Sequence, residues 1–113
     1  MHEMALCEGV VNLVEDEARK QPFIRVKSIT LELGVFGHVA PDAMLFCFEA
    51  ISRGTIADGA RLIIDRIQGA GWCPDCDKTV PLPARFAACP DCGRSRVRMT
   101  AGDELRVREL EVE

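Results

Sequence analysis

The chain has 113 residues, a formal net charge of −4 and 48% hydrophobic residues. This length predicts one small domain, or one small core with a subdomain stapled by a metal. The acidic balance disfavours a general nucleic-acid binder, and a 28% share of charged residues suits a folded surface rather than a disordered tail. No apolar run is long enough to span a bilayer, and the first residues lack the basic region of a secretory signal. We therefore expect a reducing, cytoplasmic location.

Two helices and two strands are predicted before the cysteine-rich segment. A helix over residues 4–20, ended by Pro22, is indicated by an apolar stripe at three- and four-residue spacing: Met4, Cys7, Val11, Val14 and Ala18. Residues 24–36 alternate as a strand whose core face is expected to start at Lys27. A second helix should begin at Pro41 and stop before Gly54, and residues 60–67 read as a second strand.

The rest of the chain predicts an interrupted α+β domain. Residues 94–99 can return as a short strand of the cysteine-rich lobe, and a turn at Gly102-Asp103 leads to a last strand that ends at Val112. Its alternation slips near Arg108-Glu109, which indicates a bulge or twist. The order predicts two helices on a three-stranded mixed or antiparallel sheet, with an inserted four-cysteine zinc-ribbon lobe. We expect residues 1–68 plus 101–113 to form the α+β domain and residues 69–100 the zinc-binding domain.

Four cysteines form two identical Cys-Pro-Asp-Cys knuckles: Cys73 with Cys76, and Cys89 with Cys92. Two residues between paired thiols allow both sulfurs to face one ion, and two knuckles complete a tetrahedral thiolate site. Zinc is the predicted metal, and iron in a rubredoxin-like site is the alternative. Four protein sulfurs leave no open position for a substrate, so we expect a structural ion.

The start of the chain offers a second set of metal ligands. His2 follows the initiator, and a residue of that size is expected to leave Met1 with its free amine. Amine, amide and imidazole nitrogens then lie within one short stretch, and nitrogen donors in a plane suit Ni(II) or Cu(II). Glu3 can add an oxygen or orient the imidazole. A solvated terminal histidine is the competing interpretation, and a contribution from His38 or Asp42 stays open.

These features occur together in one family. The Met1-His2-Glu3 start, the Cys-x2-Cys-x12-Cys-x2-Cys spacing and the closing Gly-Asp-Glu-Leu-Arg-Val-Arg-Glu-Leu-Glu-Val-Glu resemble the HypA/HybF family of hydrogenase-maturation nickel metallochaperones along the full length. The resemblance implies a metal-binding accessory protein and not an enzyme. It implies His2 as the key nickel ligand and Glu3 as a secondary one. It assigns structural zinc to Cys73, Cys76, Cys89 and Cys92.

The resemblance also implies cargo and partners. Ni(II) would be transported and Zn(II) resident, and residues 1–68 plus 101–113 would be the nickel-binding domain. The implied partners are a HypB-type GTPase and the precursor of the [NiFe]-hydrogenase large subunit, with no nucleic acid and no membrane, for a monomer or weak homodimer. Some relatives carry histidines after the second cysteine of each knuckle. Here these positions are Asp77 and Gly93, so zinc ligation that switches with pH is not expected.

Alternatives without transported metal stay open from the residues alone. A zinc-ribbon nucleic-acid binder would use Arg94, Arg96 and Arg98 on one strand face, with Trp72 or Phe86 stacking on bases. A zinc-stabilised adaptor would bind one zinc and no nickel. A rubredoxin-like electron carrier would hold iron and be red. Elemental analysis and a nickel titration separate these possibilities.

Overall fold

The structure is a computed structural model, and it describes residues 2–113; Met1 and the side chain of His2 lie outside the described part. These residues form the following elements: α1 His2–Lys20, β1 Val26–Gly34, α2 Pro41–Ser52, β2 Arg61–Ile67, β3 Ala70–Cys73, β4 Lys78–Pro81, β5 Arg98–Ala101 and β6 Leu105–Val112. The strands form two three-stranded sheets, in the orders β2-β1-β6 and β4-β3-β5. The predicted α+β fold class with a cysteine lobe is confirmed. Neither helix, over residues 2–113, has the length and apolar character needed to cross a bilayer.

The chain divides into two compact units. The first contains Met1–Leu31, Val39–Asp65 and Val107–Glu113, and the second contains Glu32–His38 and Arg66–Arg106. Both helices belong to the first unit, and the four knuckle cysteines belong to the second. The functional division predicted from the sequence, 1–68 plus 101–113 against 69–100, stays a proposal.

The core of the first unit joins the apolar stripes of α1 and α2. It contains Cys7, Val10, Val11, Val14, Val26, Ile29, Leu31, Met44, Phe48, Ala57 and Leu62. Each large side chain buried there contributes roughly 1.5–3 kcal/mol. The predicted α1 stripe is correct at its centre, but Met4 at its start is 46% exposed. Glu3 in the first turn and Arg19 and Lys20 in the last match the helix dipole.

One face of β1 differs from the alternation in the sequence. Val26 is buried and Lys27 is exposed, so the expected core face is wrong at its first residue. Val26 and Ile29 both reach the core although they are three residues apart, which requires a change of phase in the strand. Strand β6 does the same, because Val107 and Leu110 both pack against that core. This agrees with the slip predicted in the last strand.

Phe36 organises part of the second unit. It lies in a short 3-10 turn, Val35–Gly37, and its backbone N–H donates to the Gly102 carbonyl at 2.7 Å. A Cβ atom at Gly69 or Gly102 would collide with the Phe36 ring. Gly102 also has a φ of +125°, which disfavours any side chain. The ring therefore packs directly on two stretches of backbone that only glycine leaves bare.

Candidate metal centre

The first knuckle is the turn of a β-hairpin. Strands β3 and β4 pair antiparallel, with Trp72 opposite Thr79 and Cys73 opposite Lys78. The turn carries Cys76 and ends at Asp77, whose φ is 55°. Aspartate is among the residues that tolerate this left-handed conformation best. Local strand pairing and one turn thus bring two sulfurs to the same end of the hairpin.

The second knuckle repeats this geometry outside the strands. Gly93 stands at the position that matches Asp77 and has a φ of +74°. Its N–H donates to the Cys89 carbonyl at 2.8 Å, and the Cys89 N–H donates to the Arg94 carbonyl at 2.9 Å. The Asp91 N–H points at the Cys89 sulfur at 3.4 Å. The repeated sequence therefore folds into repeated turns, each closed by a left-handed residue.

The four cysteine sulfurs converge, as the spacing predicts. All four lie within 4.8 Å of one another; the Sγ atoms of Cys73 and Cys92 are 3.7 Å apart, and those of Cys76 and Cys89 are 3.9 Å apart. Tetrahedral zinc with bonds of about 2.3 Å requires sulfur–sulfur edges of about 3.8 Å, whereas a disulfide requires about 2.05 Å. The donor set and its spacing fit a tetrahedral thiolate centre such as zinc occupies. With all four positions taken by protein sulfur, a bound ion would staple the lobe.

The thiols of this centre do not ionise alike. Hydrogen bonds from the Cys92 and Asp91 backbone N–H groups lower the pKa of Cys89 to about 7. A hydrogen bond with the Cys92 side chain, together with burial, raises the pKa of Cys76 to about 12. Of these two thiols Cys89 ionises first, and a cation must displace the proton of Cys76. Metal binding at this centre therefore releases protons and weakens in acid.

Ion pairs connect the two knuckles crosswise. Asp75 of the first knuckle accepts a hydrogen bond from Arg94 at 3.1 Å and forms an ion pair with Arg96 at 3.6 Å, and its side chain is only 14% exposed. Asp91 of the second knuckle pairs with Lys78, which raises the pKa of that lysine. Lys78 and Arg94 occupy matching positions, each two residues after the second cysteine of its knuckle. The repeated pattern Cys-Pro-Asp-Cys-x-cation indicates these crosswise ion pairs in the sequence. A prediction made from the cysteine spacing alone does not include them.

The other predicted ligands lie at the start of α1. The backbone of His2 begins the helix, and the imidazole predicted as nickel ligand lies outside the described residues, as does Met1. The Glu3 carboxylate accepts a hydrogen bond from the Ala40 N–H at 3.2 Å. The charged amino terminus, the N–H of Glu3 itself and that of Ala40 lower the pKa of Glu3 to about 2. This contact, unforeseen because 37 residues separate its partners, joins the first turn of α1 to the segment that leads into α2.

The two residues left open in the sequence are both exposed. Asp42 lies in the first turn of α2, where a carboxylate favours the helix N-terminus. His38 ends the 3-10 turn with a φ of 55°.

The chain is similar to known proteins along its whole length. Residues 1–112 match the family described as "Hydrogenase/urease nickel incorporation, metallochaperone, hypA". A protein of Methylocella silvestris named hydrogenase maturation factor HypA is 64% identical over 113 residues, and all of both chains is covered. A protein of the same name from Rhizobium leguminosarum bv. viciae is 59% identical over 112 residues, which is 99% of each chain.

Solved structures agree on the fold. The solution structure described as the Ni metallochaperone HypA from Helicobacter pylori has a TM-score of 0.72 at 23% identity, covering 99% of this chain and 97% of that one. A second solution structure of a HypA protein has a TM-score of 0.76 at 23% identity, covering 100% of this chain and 97% of that one. At this identity the likeness supports the architecture alone.

Proposed function

We propose, because the chain belongs to the HypA family of hydrogenase/urease nickel-incorporation metallochaperones, that it binds Ni(II) at its N-terminus and delivers it for maturation of [NiFe]-hydrogenase. Membership confirms the resemblance seen in the sequence. Proteins of this family are maturation factors and not enzymes, which confirms the expected absence of catalysis.

The nickel ligands that we propose are the Met1 amine, the backbone amides that follow it and the His2 imidazole. The first N–H groups of an α-helix have no acceptor within the helix. The α1 helix begins at His2, so the amides near the imidazole are the ones that lose least by giving up a proton to Ni(II). Planar nitrogen coordination of this kind suits a d8 ion. The observation that carries the proposal is the contact of Glu3 with Ala40, which anchors the turn that presents these nitrogens.

The same position explains how the cargo can leave. The positive end of the helix dipole opposes a cation at the helix N-terminus. The Glu3 carboxylate and the deprotonated amides offset that repulsion, with Glu3 as the secondary nickel ligand or as a neighbouring charge. Nickel held by one terminal turn can be released as ligands detach one at a time and a recipient replaces them.

Resident zinc is the second part of the proposal. Cys73, Cys76, Cys89 and Cys92 would hold it, since their sulfur spacing fits the ion. Zinc bound there supplies structural cross-linking and no reaction chemistry. A lobe of short strands with few buried side chains depends on such a staple to fold.

For partners we propose a HypB-type GTPase and the precursor of the [NiFe]-hydrogenase large subunit, in the cytoplasm. The name hydrogenase maturation factor, carried by relatives 51% to 64% identical to this chain, supports a hydrogenase as the recipient. We propose no nucleic-acid or membrane partner, and a monomer or weak homodimer in solution. Cargo transfer then occurs in protein–protein complexes.

A nickel titration tests the proposal. Untagged, zinc-loaded His2→Ala protein should take up no Ni(II) by calorimetry near neutral pH, while keeping its zinc and its circular dichroism. His38→Ala is the matched control, because it removes the other histidine of the chain, and its nickel uptake should equal that of the wild type. Equal uptake by the His2→Ala protein would contradict the nickel assignment. A wild-type protein with one zinc and no nickel affinity would support the zinc-stabilised adaptor instead.

A further inference from the structure

Phe86 is the most exposed large apolar side chain of the described residues, at 98%. It also has a φ of 63°, a left-handed conformation that an aromatic residue rarely adopts. Nothing in the proposed nickel or zinc chemistry uses it. A fully solvated ring held in an unfavourable backbone conformation indicates a side chain kept for contact with another molecule.

A cavity of about 130 Å³ lies beside this ring. Its lining defines what we call the Phe86 surface: Leu82, Arg85, Phe86, Ala87, Val97 and Met99. All six residues belong to the second compact unit. The lining is apolar except for one guanidinium, so the cavity suits a single aliphatic side chain with a negative group next to it.

Arg85 supplies the polar part of this surface. Its guanidinium lies over the Phe36 ring, 5.7 Å from the centroid, and 3.9 Å from the Met99 sulfur. Among residues 2–113, no carboxylate pairs with Arg85 or with Arg98. A guanidinium fixed by an aromatic ring and without a carboxylate is ready to bind one from a partner.

The surrounding charge favours an acidic partner. Residues 84–99 contain four arginines (85, 94, 96 and 98) against one aspartate (91); Asp75 offsets part of the charge of Arg94 and Arg96, and Arg85 and Arg98 keep theirs. Such a local field attracts acidic segments and speeds their encounter. Nucleic acid fits less well, because Arg94 and Arg96 are engaged with Asp75, and because the negative remainder of the chain repels phosphates.

We propose that the Phe86 surface binds an extended acidic segment of a partner protein, with one aliphatic side chain in the cavity beside Phe86 and a carboxylate against Arg85. The contact does not need nickel, so it goes beyond the metal-carrier proposal. It gives the zinc lobe a docking role, in addition to the stability that a bound metal provides.

A peptide titration followed by NMR tests this assignment. The full-length, zinc-loaded, isotope-labelled protein is titrated with a short peptide of alternating glutamate and leucine. The same peptide with glutamine for glutamate, and oligouridylate RNA, are run in parallel. We expect saturable shifts confined to the amides of residues 82–87 and 97–99 with the glutamate peptide, and much weaker shifts with the other two.

Matched variants locate the contact. Phe86→Ala should weaken binding about tenfold, as loss of an aromatic anchor does. Phe46→Ala is its control, since Phe46 is 77% exposed on α2, and it should change nothing. Arg85→Gln should also weaken binding, whereas Arg61→Gln on β2 should not. Zinc content and nickel uptake should be unchanged in all four variants, which separates this proposal from the metal-carrier proposal.

Three results would overturn the inference. One is the absence of saturable shifts with the glutamate peptide. Another is equal binding by the Phe86→Ala protein or by the glutamine peptide, since either removes the chemistry on which the assignment rests. The third is tighter binding of oligouridylate at the same amides, which would assign the surface to nucleic acid.

Discussion

The cysteine centre and the start of α1 offer the metal ligands that we propose in opposite ways. The centre has four sulfurs from two closed turns, with Cys73 and Cys89 buried, and ion pairs that tie one turn to the other. The start of α1 is a single turn at a chain end, held to the segment before α2 by the contact of Glu3 with Ala40. Enclosure by two closed turns suits a resident ion, and the first turn of a helix suits the cargo ion that we propose.

We propose that this difference separates stability from transport. Loss of a ligand in the closed centre should cost the lobe its structure, because metal binding and folding are coupled there. Loss of a ligand at the open turn should cost cargo binding and leave the fold intact. Four variants test how far this separation holds.

The largest effect is expected from Cys73→Ser. Removing one of four thiolates should lower zinc affinity by more than about 100-fold and unfold the lobe. Fluorescence of Trp72, the one tryptophan of the chain, reports on β3. Cys47→Ser, which changes a cysteine outside the centre, should keep full zinc content. Unchanged zinc in Cys73→Ser protein would remove Cys73 from the ligands.

Gly102→Ala tests whether packing supports the lobe alongside a metal. The added methyl meets the Phe36 ring at a φ of +125°, so we expect a loss of about 2–4 kcal/mol in the free energy of unfolding. Gly93→Ala is the control, because it also has a positive φ but meets nothing within 4 Å. Its loss should be about 1 kcal/mol. Equal losses in denaturant titrations would show that backbone strain alone causes the loss of unfolding free energy, and that contact with Phe36 does not contribute to it.

Glu3→Gln tests the proposed nickel site at the start of α1. The pKa of Glu3 is about 2, below the usual value, so its carboxylate adds stability above the unfolded pKa of about 4.3 and loses it as pH falls through about 2. We therefore expect acid release of nickel, between about pH 8 and pH 5, to follow protonation of the proposed nitrogen ligands rather than of Glu3. We expect Glu3→Gln to weaken nickel binding about two- to fivefold with the same acid midpoint.

Glu8→Gln, which changes an exposed carboxylate further along α1, is the control for that measurement and should bind nickel as the wild type does. A shifted midpoint in Glu3→Gln protein would mean that the carboxylate itself titrates during release.

A small effect on stability alone is expected from Asp75→Ala. This change removes the carboxylate that pairs with Arg94 and Arg96, and with it one link between the knuckles. We expect a loss of about 1 kcal/mol in the free energy of unfolding. Asp16→Ala breaks an exposed pair within α1, that with Arg19, and should cost less than about 0.5 kcal/mol. Thermal melting read at Trp72 measures the first and circular dichroism the second. Equal, negligible losses would mean that the crosswise pairs do not support the centre.

Local patterns were sufficient where sequence neighbours decide the structure. The two knuckles converge as their spacing predicts, since each pair of sulfurs is placed by one turn. The last strand, Leu105–Val112, follows the predicted turn at Gly102-Asp103 and ends at Val112 as predicted. Pro41 begins α2 as expected for a residue with no N–H to satisfy.

Long-range contacts and short strands could not be predicted from the sequence patterns. Strands β3 and β4 have four residues each, too few for a periodicity to appear. The burial of Val26 in place of Lys27 depends on a change of phase within β1. The contact of Glu3 with Ala40 joins residues that no local rule connects. The proposed nickel site thus gained its one structural support from tertiary contact, whereas the cysteine centre was predictable from spacing.

The most direct test of the separation between resident and cargo metal is a nickel titration of two zinc-loaded proteins that differ only at the amino terminus. One has the authentic Met1-His2-Glu3 start and the other carries a short glycine-serine extension before Met1. Zinc content should be identical in both, and nickel uptake should be strong only in the authentic protein, because the extension replaces the terminal amine by an amide. Equal nickel uptake by both proteins would contradict the account.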